Sequence, residues 1–184
     1  MKKNVLVFGL ISGVLVSTFM AVSMVSFTKS ENPDMTGGMI VGFASMAVAF
    51  SFIFVGVKNF RDKQNEGVIT FGKAFLMGCL MSLVASTIYV LTWAVEFHFF
   101  LPEFAQKYEA VQVKMIQKSA MPQQEMEAAL KKVADDTELY ISNPFYFTFG
   151  TYMEILPVGI IVALICALIL KRKTKKDPSH VLAS

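Results

Sequence analysis

Apolar positions fall into four long runs, Val5–Phe27, Met39–Val57, Phe71–Phe100 and Phe145–Leu170, separated by two short polar segments and one long one. A hydrocarbon layer of ~30 Å takes roughly 20 helical residues to cross, and each run is of that order or longer. Backbone amides and carbonyls inside lipid have no water to bond, so each run is expected to be a helix. The pattern predicts an all-α integral membrane protein, one four-helix bundle over residues 1–184.

The long polar segment, residues 102–140, has a helical period of its own. Phe104, Tyr108, Val111 and Met115 recur at i, i+4, i+7 and i+11 and make one stripe. Met121-Pro122 breaks that stripe, and Pro122 suits the first turn of a second helix. Met126, Leu130, Val133, Thr137 and Tyr140 then repeat the spacing, with Glu125 and Glu127 early and Lys131-Lys132 later, as the helix dipole favours. An amphipathic helical hairpin is expected here, either a cap on the membrane domain or a docking surface for another protein. Asn143 is placed to cap the last span, with Pro144 as its first helical residue.

Composition agrees: hydrophobic residues are 54% of the 184, too many for a soluble globule of this size to cover. The distribution of charge adds orientation. Eleven of the 17 cations lie at Lys2-Lys3, at Lys58, Arg61, Lys63 and Lys73, and in the tail at Lys171, Arg172, Lys173, Lys175 and Lys176. Four spans put these three places on one side, which the positive-inside rule makes cytoplasmic. Thr28–Gly38 and Leu101–Asn143 then lie outside. The basic tail, 171–184, sets topology and can also attract anionic lipid. Ala21-Val22-Ser23 resembles a signal-cleavage site, but the apolar run continues to Phe27, so an uncleaved anchor is expected.

Small residues recur at every fourth position: Gly9, Gly13, Ser17 and Ala21 in the first span, Gly38 and Gly42 in the second, Gly78, Ser82 and Ser86 in the third, and Gly159, Ala163 and Ala167 in the fourth. Such edges let helices approach closely in lipid and predict a tight bundle or a homo-oligomer. Trp93, Phe97, Phe99 and Phe100 end the third span, and Phe145, Tyr146, Phe147, Phe149 and Tyr152 open the fourth. They read as an interfacial belt, not as a stacking platform for nucleic acid. Cys79 and Cys166 lie inside spans, at no metal-ligand spacing, and are expected to be buried thiols.

Ionisable groups in a bilayer mark candidate sites. Glu96 and His98 on the third span and Glu154 on the fourth qualify. At ~1.5 Å per residue, Glu154 lies ~24 Å from the inner edge at Leu170, inside the lipid, whereas Glu96 lies ~31 Å from Phe75, at the boundary. Pro157 cannot donate its amide and should strain or kink the helix, freeing the carbonyl of Met153 beside Glu154. His98 or Glu96 could pair with Glu154 across that polar pocket. Three uses remain open for it: a register-fixing contact, a proton or ion pathway, and a ligand contact. Lys73 reads as a snorkelling anchor.

Enzyme signatures are missing: no H-E-x-x-H, no G-x-S-x-G and no phosphate-cradling glycine loop with lysine. No catalytic, cofactor-binding or metal-binding residue is assigned. Val55-Gly56-Val57-Lys58-Asn59-Phe60-Arg61-Asp62, Ile69-Thr70-Phe71-Gly72-Lys73-Ala74-Phe75, Asn143-Pro144-Phe145 and Glu154-Ile155-Leu156-Pro157-Val158-Gly159, with Lys171-Arg172-Lys173, spread over the chain. As a set they resemble an uncharacterised family of bacterial four-span membrane proteins, catalogued as a domain of unknown function (number forty-one ninety-nine). The resemblance implies an inner-membrane protein with its hairpin in the periplasm, and it supplies no activity. The expected role is non-enzymatic: self-assembly or membership of a membrane complex. The alternative is a small oligomeric transporter or proton pathway using Glu154.

Overall fold

The structure, a computed structural model, describes residues 1–31 and 33–172. The apolar runs lie in α1 (Lys2–Lys29), α2 (Met35–Gln64), α3 (Phe71–Val95) with the five residues that follow it, and α6 (Pro144–Leu170). Between the last two lie α4 (Phe104–Lys118) and α5 (Gln123–Ser142), matching the two amphipathic stripes. All four apolar helices are long and apolar enough to cross a membrane. α1 and α2 outrun the hydropathy at both ends because hydropathy marks where lipid contact stops, not where backbone hydrogen bonding does. α2 thus carries Lys58, Arg61 and Lys63 within the helix. α3 passes into one π-helical turn, Glu96–Phe100, before the chain turns into α4.

Side-chain caps begin three of these helices. Asp34 accepts from the amide of Gly37, Thr70 from that of Lys73, and Asn143 from those of Phe145 and Tyr146. Pro144 follows Asn143 at the first helical position, as expected. Pro122 precedes α5 instead of opening it, its carbonyl accepting from the amide of Met126 at 3.0 Å. Between α2 and α3 the chain reverses through Glu66 and Gly67 at φ 53° and 78°, where glycine costs little.

The apolar helices close a ring in the order α1, α3, α6, α2, so that α2 faces α3 across the bundle. Small-residue edges make the closest seams. A Cβ built on Gly9 would lie 2.8 Å from Cβ of Val84, and one on Gly13 would lie 3.1 Å from the Cα of Ala85. A Cβ on Gly78 would meet Cβ of Ala163 at 2.6 Å, and one on Gly159 would meet Cβ of Ser82 at 2.7 Å. The edges of α1, α3 and α6 are therefore used within one chain. Lipid tails are as apolar as the side chains they would replace, so close van der Waals fit, not exclusion of water, holds these seams. Residues such as Ile40, Leu91 and Ile169, all more than 60% exposed, point away from the bundle.

Polar ties fasten the end where α2 meets α3. Buried Asn4 donates to the carbonyl of Gly56 at 3.3 Å and accepts from Gln64 at 2.8 Å. Arg61, 7% exposed, holds Asp62 through Nε and Nη2 and donates to the carbonyl of Leu170 at the end of α6. Lys73 is held more firmly than a free anchor: its ammonium donates to Asn65 at 3.0 Å and sits 4.9 Å from the centroid of the Phe60 ring. Ile69 and Arg172 pair antiparallel, joining the α2–α3 turn to the chain leaving α6. Lys173, Lys175 and Lys176 of the basic tail lie outside the described residues.

Candidate functional site

The bundle is solid at that end and hollow at the other. Phe50, Ile53, Val57, Met77, Met81 and Ile155 are fully buried and fill its centre. α2 buries nothing before Met46, and a Cβ built on Gly38 or Gly42 would meet no atom within 4 Å. Its first turns stand away from the other helices and leave a cavity of about 610 Å³, to which all six α-helices contribute. That lies within the range of small-molecule sites, ~300–1,000 Å³.

Val16, Met46, Tyr89 and Glu154 close the cavity toward the solid core, and Phe104, Tyr108, Val133 and Tyr140 of α4 and α5 border it from the other side. Aromatic rings and methionines make half of the wall. Tyr89, 4% exposed, donates its hydroxyl to Oε1 of Glu154 at 3.4 Å, while the rest of that carboxylate is exposed to the cavity. Asp34 and Asp136 are the other acids in the wall, and among the described residues no lysine, arginine or histidine lines it.

A directed chain of hydrogen bonds fixes α5 over this space. Nε1 of Trp93 donates to the Tyr140 hydroxyl at 2.8 Å, so that hydroxyl's proton is free for Oγ1 of Thr151 at 3.2 Å. Thr151 in turn donates to the carbonyl of Phe147 at 2.8 Å. Burial pushes the Tyr140 phenol above its ordinary pKa, which keeps it protonated and able to donate at neutral pH. α4 is held as well: Lys107 donates to the carbonyls of Thr28 and Ser30 at the end of α1, and Phe104 packs edge-on to Trp93 at 5.0 Å.

Of the four residues singled out from sequence, only Glu154 lines the cavity. It does not pair with His98 or Glu96. α3 and α6 run antiparallel, with Gly78 level with Ala163 and Ser82 level with Gly159, so Glu154 is level with Tyr89 and its neighbours. His98 lies more than two turns further on, its Nδ1 against the carbonyl of Ala94 at 2.9 Å and its ring 5.6 Å from that of Phe147. Oε2 of Glu96 is buried with no hydrogen-bond partner, and neither group reaches the cavity wall. α6 runs uninterrupted through Pro157, which is exposed away from the cavity, so the polar recess is not built on the carbonyl of Met153.

The aromatic belt divides in two. Phe99, Phe100, Phe145 and Phe149 are exposed, but Trp93, Phe97 and Phe147 are buried and belong to the core below α4 and α5. Cys79 and Cys166 are free thiols, the first half-buried and the second buried. Sequence reasoning passed over Tyr89, Asp34 and Asp136. A tyrosine deep in an apolar run was the available signal, because a buried hydroxyl needs a partner.

No curated protein and no solved structure matches this chain. Residues 7–172, which hold all six helices but for the first residues of α1, match the family described as a protein of unknown function, DUF4199. The chain belongs to that family.

Proposed function

We propose that this multi-pass membrane protein works by binding, not by covalent chemistry, and holds a small amphipathic molecule in the cavity beneath α4 and α5. One observation carries the reading: a 610 Å³ space walled largely by apolar and aromatic side chains, with Glu154 of the membrane span among its three acids. Convergence of few polar groups in a mostly apolar recess is the usual form of a small-molecule site. It moves the emphasis from assembly toward a carrier or sensor using Glu154, because the small-residue edges that motivated assembly are engaged between α1, α3 and α6 of one chain.

Native mass measurement of the protein released from lipid nanodiscs tests this. The wild type should retain a bound small molecule. A double variant that fills the free space beside α2, Gly38→Phe with Gly42→Phe, should retain none while keeping its helical content. Identical bound species in both proteins would sink the cavity as the working site.

We further propose an inner-membrane location with both termini cytoplasmic and α4–α5 as an external helical hairpin. The charge bias supports it: cations gather at Lys2-Lys3, around the α2–α3 turn and after α6, while α4 and α5 carry more carboxylates than lysines. Ser119→Cys, in a background with Cys79 and Cys166 changed to alanine, should react with an impermeant maleimide on intact cells. Reaction only after the membrane is opened would reverse the orientation.

A further inference from the structure

The chemistry of the wall says more than that something fits. Three carboxylates, Asp34, Asp136 and Glu154, share the cavity, and no cationic side chain among the described residues faces them. Two are partly engaged: Asp34 caps α2 through the amide of Gly37, and Asp136 accepts from the Tyr146 hydroxyl at 3.4 Å. Glu154 has one long bond from Tyr89 and lies within the apolar span of α6, level with Tyr89. An ionisable group at that depth is normally met by an opposite charge or lines a pathway. Aromatic rings share the rest of the wall with methionines and small residues, and the faces of such rings attract organic cations. Phe27, Phe43, Trp93 and Tyr108 all contribute.

We infer that the ligand is a lipophilic organic monocation, with its charge held by Glu154 and its apolar groups against the aromatic wall. A small inorganic cation is the wrong size: among the described residues no three histidine, cysteine, aspartate or glutamate side chains converge as a metal site, and bulky apolar walls would leave its other coordination positions empty. An anion would meet three carboxylates and no counter-charge. A neutral molecule would leave Glu154 with Tyr89 as its one partner in the structure. This inference rests on the proposal that the cavity is the working site, and it adds the sign of the charge.

Tetraphenylphosphonium and tetraphenylborate, nearly the same shape with opposite charges, make the test. The chain has one tryptophan, Trp93, and it lines the cavity, so its emission reports occupancy directly. Titrations in nanodiscs are compared with the Gly38→Phe/Gly42→Phe variant to remove partition into lipid. The phosphonium should change Trp93 emission saturably in the wild type and not in the filled variant, and the borate in neither. Glu154→Gln should weaken the phosphonium about tenfold or more, as loss of a close charge pair does. Asp136→Asn should weaken it less.

Equal, filling-sensitive binding of both ions would overturn the choice of a cation and leave the cavity proposal standing. Absence of filling-sensitive binding by either ion would remove both. Should Glu154→Gln fail to fold, the wild-type comparison of the two ions still decides the sign. Unchanged phosphonium affinity in a folded Glu154→Gln would dismiss Glu154 as the counter-charge.

Discussion

Gly78→Leu should separate α3 from α6 and lower stability by about 3 kcal/mol, the upper part of the range for overpacking a close-fitting core. Even the first added carbon lies 2.6 Å from Cβ of Ala163 and 3.0 Å from its Cα. A flexible side chain could swing aside, but a backbone atom cannot, so the two helices must part along a seam held chiefly by fit, with hydrogen bonds from Tyr89 to Glu154 and from Tyr152 to Thr87. The same substitution at Gly42 is the control. A Cβ there meets nothing within 4 Å, and the leucine would enter the cavity. Thermal melts in nanodiscs followed by circular dichroism should show a large drop for Gly78→Leu and little change for Gly42→Leu. Equal midpoints would mean that the α3–α6 seam is not tight.

The contrast between these glycines marks how far the sequence could be read. A glycine repeated every fourth position announces an edge that lets another helix near, and at Gly9, Gly13, Gly78 and Gly159 it does so. The spacing is identical at Gly38 and Gly42, where no helix comes, because the partner is chosen by the ring order α1, α3, α6, α2. That order is a property of three-dimensional packing and leaves no mark on a local pattern. The four spans were legible because lipid imposes one simple requirement on twenty or so consecutive residues. So were the amphipathic stripes of α4 and α5, and the Asn143-Pro144 start of α6.

Side-chain partners were less legible than elements. Depth along a helix, counted at a fixed rise, put Glu154 deep and Glu96 and His98 nearer the end, which is their relative order in the structure. Pairing needs the register between two helices as well, and that register brings Tyr89, not His98, beside Glu154. Arg61 illustrates the same limit from the charged side. It sits in a cluster of cations that reads as a solvated loop, yet it is buried and ties α2 to the end of α6. The π-helical turn at Glu96–Phe100 has no periodic signature over five residues. Its extra residue shifts the aromatic side chains, leaving Phe97 inside and Phe99 and Phe100 outside.

Trp93→Ala should cost more than any other single truncation near the cavity, ~3–5 kcal/mol by comparison with large-to-small changes in packed cores. The indole is 6% exposed, packs on Phe97 at 5.6 Å and edge-on to Phe104 at 5.0 Å, and donates to Tyr140. It thus touches α3's own end, α4 and α5 together, as Phe97 also does, and it adds a hydrogen bond that Phe97 lacks. Trp93→Phe separates its two contributions. The ring remains to pack while the N–H is lost, so the loss should be about 1–2 kcal/mol, the value of a buried hydrogen bond whose partner keeps another. Because Tyr140 would still reach Thr151, the phenylalanine variant should hold α5 in place. Hydrogen exchange resolved by peptide should show α5 amides protected in Trp93→Phe and opened in Trp93→Ala, with α1 and α3 protected in both. If both variants lose the same stability and open α5 equally, the hydrogen bond and not the packed ring joins α4 and α5 to the bundle, and the cavity would open whenever that one bond broke.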